Sequence, residues 1–348
     1  MDICKLGDIA KFTTGKLNSN AAQDNGKYPF FTCAPEALRI DEYAFDTEAI
    51  ILAGNNAEGN FHIQHYTGKF NAYQRTYVIE STDVSKVDTK YLYYALKTCL
   101  LHFKQISQGS ATKFLTAKIL NSFELPIPEI KIQKKIAGTL GNLDEKIRTN
   151  TEINENLADQ AQAIYQQYFV TDADPNWPLG HLSDLIDVKY GKDHKKLANG
   201  AYPVFGSGGI MRYVERPLYE KESVLIPRKG TLNNVMYVNQ PFWSVDTMFY
   251  TEMKQANVAK FVYHYVKSKD LASMNAGSAV PSMTTAILNA MELRIPSADA
   301  LLQFENSVAP MYEMINQSED QSHKLAELRD SLLPKLMSGE IDVTSIDL

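Results

Sequence analysis

The chain has 348 residues, 44% hydrophobic and 22% charged, with 18 glycines and 14 prolines, which excludes a fibrous or low-complexity chain and suits two domains of average size. No 18-residue apolar run occurs, the nearest, 91–101, being broken by Lys97, so a membrane-spanning helix is excluded. The net charge of −6 speaks at first against an anionic partner, but it is partitioned: 0 over 1–128, −1 over 129–170, +2 over 171–296 and −7 over 297–348, which leaves two near-neutral stretches for an anion-binding surface.

In chain order, residues 1–128 form a first globule, with strands expected at Ala49–Ala53 and Thr76–Glu80 and a short amphipathic helix at Tyr91–Phe103. Residues 129–170 form a long helix. Its seam alternates steps of four and three through Ile136, Leu140, Leu143, Ile147, Asn150, Asn154, Leu157, Ala161, Ile164 and Tyr168, the signature of a coiled coil. A linker, 171–178, leads to a second globule over 179–296, with strands at Ser223–Pro227 and Val235–Val238 and a helix at Val258–Ser268. A second long helix, 297–337, carries Phe304, Val308, Met311, Ile315, Ser318, Ser322, Leu325, Arg329, Leu332 and Leu336 on its seam, and 338–348 is a tail. Each helix of about 40 residues would extend roughly 60 Å. Two adjacent polar seam positions in each, Asn150 with Asn154 and Ser318 with Ser322, either fix register or mark a solvent-facing stretch. Pro310 should kink the second helix or mark its start. Arg329 is a further exception, suited to an edge where its head reaches water.

The chain is written twice. GSATKFLTAKILNSFELPIP (109–128) faces GSAVPSMTTAILNAMELRIP (277–296) with eleven identities in twenty. A period near 170 residues is too long for a solenoid and means a duplicated domain. The fold class is therefore mixed α/β (α+β): two globules, each followed by a long helix, with a pseudo-two-fold repeat. The helices pair with each other, antiparallel or crossed, antiparallel being expected.

Catalytic motifs are missing: no GxxxxGK[ST], HExxH, GxSxG or Cys/His cluster, and Asp174-Pro175-Asn176-Trp177 lacks the second proline of the adenine-methyltransferase motif. His62 and His65 have metal-ligand spacing but lie in a strand-like stretch. Three cysteines (Cys4, Cys33, Cys99) without a CxxC pair, behind an N-terminus lacking a secretory pattern, point to a reducing cytoplasm. The chain is expected to be non-catalytic, with no cofactor or metal of its own.

Three loops in each copy are candidates for contact with nucleic acid, because Arg and Asn fork onto guanine and adenine edges while Lys, Ser and Thr hold phosphates. In the first copy they supply Asn55, Asn56 and Asn60; Gln74 and Arg75; Ser110 and Lys113. In the second they supply Arg228, Lys229, Thr231, Asn233 and Asn234; Trp243; Ser278; and, nearby, Lys192. Such Asn- and Gly-rich stretches ordinarily serve only as turns. The copies agree where globule meets helix and diverge in these loops, as two readers of different sequences would. A protein-binding adaptor without sequence readout is the alternative.

Leu6-Gly7-Asp8-Ile9 with Gly15, the run from Pro126 through Gln133-Lys134-Lys135-Ile136-Ala137 to Leu143-Asp144-Glu145-Lys146-Ile147, and Leu328 to Ile341 with Leu333-Pro334-Lys335-Leu336 at its centre resemble the specificity subunit of type I restriction–modification systems. The modest length departs from that pattern and implies trimmed recognition loops. The resemblance implies a reader of bipartite double-stranded DNA, one half-site per recognition domain, with the helices as spacer. It further implies recruitment of two modification subunits, which bind S-adenosylmethionine and methylate adenine N6, and of ATP- and Mg-dependent restriction subunits.

Overall fold

The computed structural model describes residues 2–274 and 282–344. Its two compact units are Met1–Asn150 with Glu319–Leu348, and Thr151–Ser318. Both unit boundaries fall on the polar seam of a long helix, so each helix contributes to both units.

The first unit contains β1 (Asp2–Lys5), α1 (Leu6–Ile9), β2 (Ala10–Thr14), β3 (Tyr28–Phe31), β4 (Leu38–Ile40), β5 (Phe45–Ala53), β6 (Asn55–Asn56), β7 (Ile63–Ala72) and β8 (Thr76–Ser81). There follow α2 (Thr89–Thr98), α3 (Leu100–Ile106), β9 (Lys113–Phe114), α4 (Ala117–Ser122), β10 (Glu124–Ile127) and the start of α5 (Ile130–Gln166). Six strands form one sheet in the order β2-β8-β5-β7-β3-β4. Strand β5 is central and covered on both sides, which explains its unbroken apolar run. Ile50 and Leu52 enter one core with Tyr91, Leu92 and Leu96 of α2, while Ala49 and Ile51 face Phe31, Phe70 and Val78 on the other side. The Asp88 carboxylate caps α2 by accepting from the Tyr91 N–H at 2.8 Å. The single helix expected over 91–103 is two, α2 and α3, separated at Cys99.

The second unit contains β11 (Leu179–His181), α6 (Leu182–Leu185), β12 (Ile186–Tyr190), β13 (Tyr202–Gly206), β14 (Gly209–Val214), β15 (Ser223–Pro227), β16 (Met236–Val238), β17 (Trp243–Ser244) and β18 (Met248–Met253). These lead to α7 (Ala259–Lys267), α8 (Thr285–Asn289), β19 (Glu292–Arg294) and α9 (Ala298–Ser338), whose last part belongs to the first unit. Its sheets run β12-β18-β15-β16 and β14-β13-β17, the same ladder as in the first unit with β16 and β17 in the place of the single strand β7. Pro241 lies in the gap between them; without an N–H it cannot extend a central ladder. In both copies the strand before the first short helix pairs antiparallel with the strand before the long helix, β1 with β10 and β11 with β19. The repeated threonines Thr116 and Thr284 cap α4 and α8 in the same way, each accepting a backbone N–H at 3.3 Å.

Within each unit the long helices run antiparallel. In the first, Asp144 meets Arg329 at 2.7 Å and the Asn150 amide donates to Gln321 at 2.9 Å and Ser322 at 3.1 Å. In the second, His264 bridges Gln162 and Tyr312, and Tyr168 meets Ser307 further along. Ile136, Leu140, Ala161, Phe304, Val308 and Leu336 are buried seam residues; Leu143, Ile147, Leu157, Ile164, Met311, Ile315, Leu325 and Leu332 are half-buried. Asn150 is buried and bonded across the seam, not solvent-facing. Pro310 does not mark the helix start: α9 begins at Ala298 and continues through an exposed Pro310. Arg329 is not at a wet edge but ion-paired and largely covered.

The junction of each globule with its helices holds a buried polar network at equivalent places. In the first unit, the fully buried Tyr94 donates to Asp144 at 2.5 Å, and Asp144 also accepts from Arg329. Burial, then the bond to the carboxylate, pushes the Tyr94 phenol far up. In the second, Tyr312 donates to His264 Nε2 at 2.9 Å while Nδ1 donates to Gln162 Oε1 at 2.8 Å. Burial, helped by the Lys267 charge, lowers His264 to about 3, so the imidazole is neutral at pH 7.

Candidate nucleic-acid interface

The same backbone bonds gather the loops in both units. Gly54 N–H donates to Arg75 O and Leu115 N–H to Gly54 O; correspondingly Arg228 N–H donates to Thr247 O and Met283 N–H to Arg228 O, all at 2.8–2.9 Å. Position 54 thus matches 228, and 115 matches 283. In the first unit the three stretches singled out by the repeat come together beyond the end of the central strand β5; in the second, the described residues Arg228, Thr247 and Met283 meet in the same way beyond β15.

In the first unit, Asn55 pairs with Phe114 and Asn56 with Lys113 in the β6–β9 ladder. The Arg75 guanidinium lies 5.4 Å from the centre of the Phe114 ring, beside a cleft of about 260 Å³ lined also by Thr14, Gly54, Gln74 and Tyr77. The asparagine side chains are mostly turned inward. Asn56 Oδ1 accepts the N–H groups of Glu58 and Asn60, Asn60 accepts from Lys104, and Asn55 accepts from the Cys33 thiol at 2.9 Å. Gly59 has φ +75°, and a side chain there would meet the stems of Lys104 and Lys113 at 3.1–3.2 Å. Gln74, Arg75 and Ser110 are exposed and Lys113 half-buried. Gln74 bonds to Asn18 at 2.6 Å. Lys104 and Asn18 were not singled out from the sequence, because only the fold brings them to these loops.

In the second unit the floor is basic. Arg228 donates to Asp246 O at 3.0 Å and lies 5.4 Å from the centre of the exposed Tyr190 ring. Lys192, Lys229 and Thr231 are exposed. Asn233 is held by Asp270 and the Ala272 N–H, and Asn234 donates to Ser207 O at 2.8 Å. Trp243 is only 7% exposed and donates its indole N–H to Lys192 O, so it braces the loop from inside and offers no stacking face. Ser278 lies outside the described residues. Tyr190 and the Ser207–Gly209 turn complete the cluster; hairpin pairing brings the turn there, a long-range effect that loop composition does not disclose. The histidine pair forms no shared site in the described structure: His65 bonds to Glu48 at 2.8 Å.

The chain is a duplicated α/β scaffold carrying a loop cluster of different chemistry in each copy. The sequence model of the type I restriction modification DNA specificity domain matches residues 1–159 and 175–306, and the chain belongs to that family. Over 139 residues it is 42% identical to the specificity subunit of the type I restriction enzyme EcoDI of Escherichia coli, a match covering 40% of this chain and 30% of that subunit. It is 24% identical over 306 residues to the MjaIX specificity subunit of Methanocaldococcus jannaschii, covering 75% of this chain and 71% of that one. Its fold is shared with the crystal structure of the S subunit of a type I restriction–modification system from M. genitalium, with TM-score 0.64, 20% identity, and 96% of this chain and 95% of that chain covered. No helix among the described residues is long and apolar enough to cross a membrane.

Proposed function

We propose that this chain is the non-catalytic DNA-reading subunit of a type I restriction–modification complex, each unit reading one half of a bipartite double-stranded site. The observation that carries this reading is the pair of loop clusters, assembled by matching backbone bonds at the end of the central strand in both units yet presenting Gln74 and Arg75 in one and Arg228, Lys229 and Lys192 in the other. An equivalent backbone frame positions each reader on phosphates, and divergent side chains distinguish base edges. In this reading the number of helical residues between the readers sets the non-specific spacer. Two methyltransferase subunits supply S-adenosylmethionine and adenine N6 methylation, and restriction subunits supply ATP- and Mg-dependent translocation. Chemistry and much of the phosphate affinity then come from the partners, which suits a chain of net charge −6.

Methylome sequencing of the host with and without this gene tests the proposal. One bipartite adenine-methylated motif should vanish with the gene; an unchanged methylome overturns it. Exchanging residues 179–296 for another recognition domain should alter one half-site only.

A further inference from the structure

Strands β13 and β14 form a hairpin turned by Ser207 and Gly208, with Gly209 at φ +109°. The pairing shifts register between Val204 and Phe205, which leaves Met211 unpaired opposite them; Ile210 and Met211 are 50% and 60% exposed, and Tyr213 further along is 40% exposed. The tip of the ribbon therefore exposes adjacent apolar side chains at an irregular step of the ladder. Strand β14 is also an edge strand, and nothing lies within 4 Å of where a side chain at 208 or 209 would stand. Gly206 leaves room for the Met211 thioether, which would sit 2.6 Å from a Cβ at that position.

This apolar tip is anchored to the basic loop. Ser207 O accepts from Asn234, and Ser207 Oγ would be 2.7 Å from a Cβ on Gly230, which itself has φ +86°. Arg228 and Lys229 directly precede Gly230 in this loop. An exposed apolar tip rooted among cations matches duplex DNA, whose phosphates flank an apolar stack of bases. The first unit has no such device: its β3–β4 connection runs through Thr32-Cys33-Ala34-Pro35-Glu36-Ala37, with an acidic residue and no glycine.

We propose that the β13–β14 hairpin enters a groove of the half-site read by the second unit and wedges Ile210 and Met211 against a base step, partly unstacking it. The inference rests on the DNA-reading function above and adds a mode of recognition: specificity at that step comes from how readily it unstacks, not from a hydrogen bond.

The test uses the full chain with its modification subunits and duplexes bearing the methylome-defined site, with 2-aminopurine placed at each step in turn. Wild type should brighten one step in one half-site on binding. Ile210→Ser with Met211→Ser should lose most of that rise and bind about tenfold more weakly, with unchanged circular dichroism and complex formation. The conservative Met211→Leu should keep the signal. Full brightening in the double serine variant, loss of signal in Met211→Leu, or failure of the serine variant to join the complex overturns the wedge. The first two of these leave the DNA-reading function standing. Wild-type binding without sequence preference overturns both.

Discussion

The two units solve one structural problem with different residues. Where the first fastens its globule to the long helices through Tyr94, Asp144 and Arg329, the second uses Tyr312, His264 and Gln162. Where the first has the ten-residue strand β7, the second breaks the same rung near Pro241 into β16 and β17. The loop clusters differ further: in the first, Arg75 is an exposed cation beside asparagines bonded within their own loop, and in the second Lys192 and Lys229 are exposed beside Arg228. The difference teaches that sheet order and helix pairing tolerate exchange of charge for neutral polarity at a buried joint, provided every donor finds an acceptor.

Six substitutions probe these differences between the units. The largest effect is expected from Phe304→Ala, whose ring packs against Phe169 at 5.0 Å in the second unit's core; urea denaturation should show a loss of about 3–5 kcal/mol. The polar joints should rank by charge. Tyr94→Phe removes a bond to a carboxylate and should lower stability by about 1.5–3 kcal/mol, whereas Tyr312→Phe removes a neutral bond worth about 1 kcal/mol. Equal losses would show that the ionised joint has no advantage.

At the loops, Arg228→Ala should weaken DNA binding by about 1–3 kcal/mol and relax one base position, measured by competition with single-substituted sites. Lys229→Ala should weaken all sites alike and reduce the salt slope.

The smallest effect at neutral pH is that of His264. Its folded pKa, about 3, lies below the ordinary value of 6.5. The unfolded chain therefore binds the extra proton first, and the stability this group contributes is complete above about pH 6.5 and lost progressively as pH falls toward 3. A His264→Gln variant, less stable at pH 7, should show a shallower loss over that window. An unchanged pH slope would mean that His264 is already charged in the folded protein.

Much of the architecture was legible in the sequence because its signals are local and periodic. The heptad steps and the β-branched runs bounded by turn residues each reflect short-range geometry. The candidate loops were legible as places, since a duplicated scaffold exposes what differs between its copies. The direction of their side chains was not. Asn56 and Asn60 are spent on their own turn, Trp243 faces the core, and Lys104 and Tyr190 arrive from distant stretches of chain. Pro310 and Cys99 show the same limit at the level of helices. Propensity alone places a boundary at the proline, yet α9 passes it with both flanking turns packed, while α2 and α3 separate at an unremarkable cysteine.

What the sequence determined by itself was the number of modules, their order and the faces their helices bury, because hydrophobic periodicity and repetition survive in one dimension. Tertiary structure alone decided that both unit boundaries cut the long helices, that His264 stays neutral, and that a bare hairpin tip roots beside Arg228. Each of these depends on contacts between residues far apart in the chain, whose burial and hydrogen bonding exist only once the sheets and helices have packed.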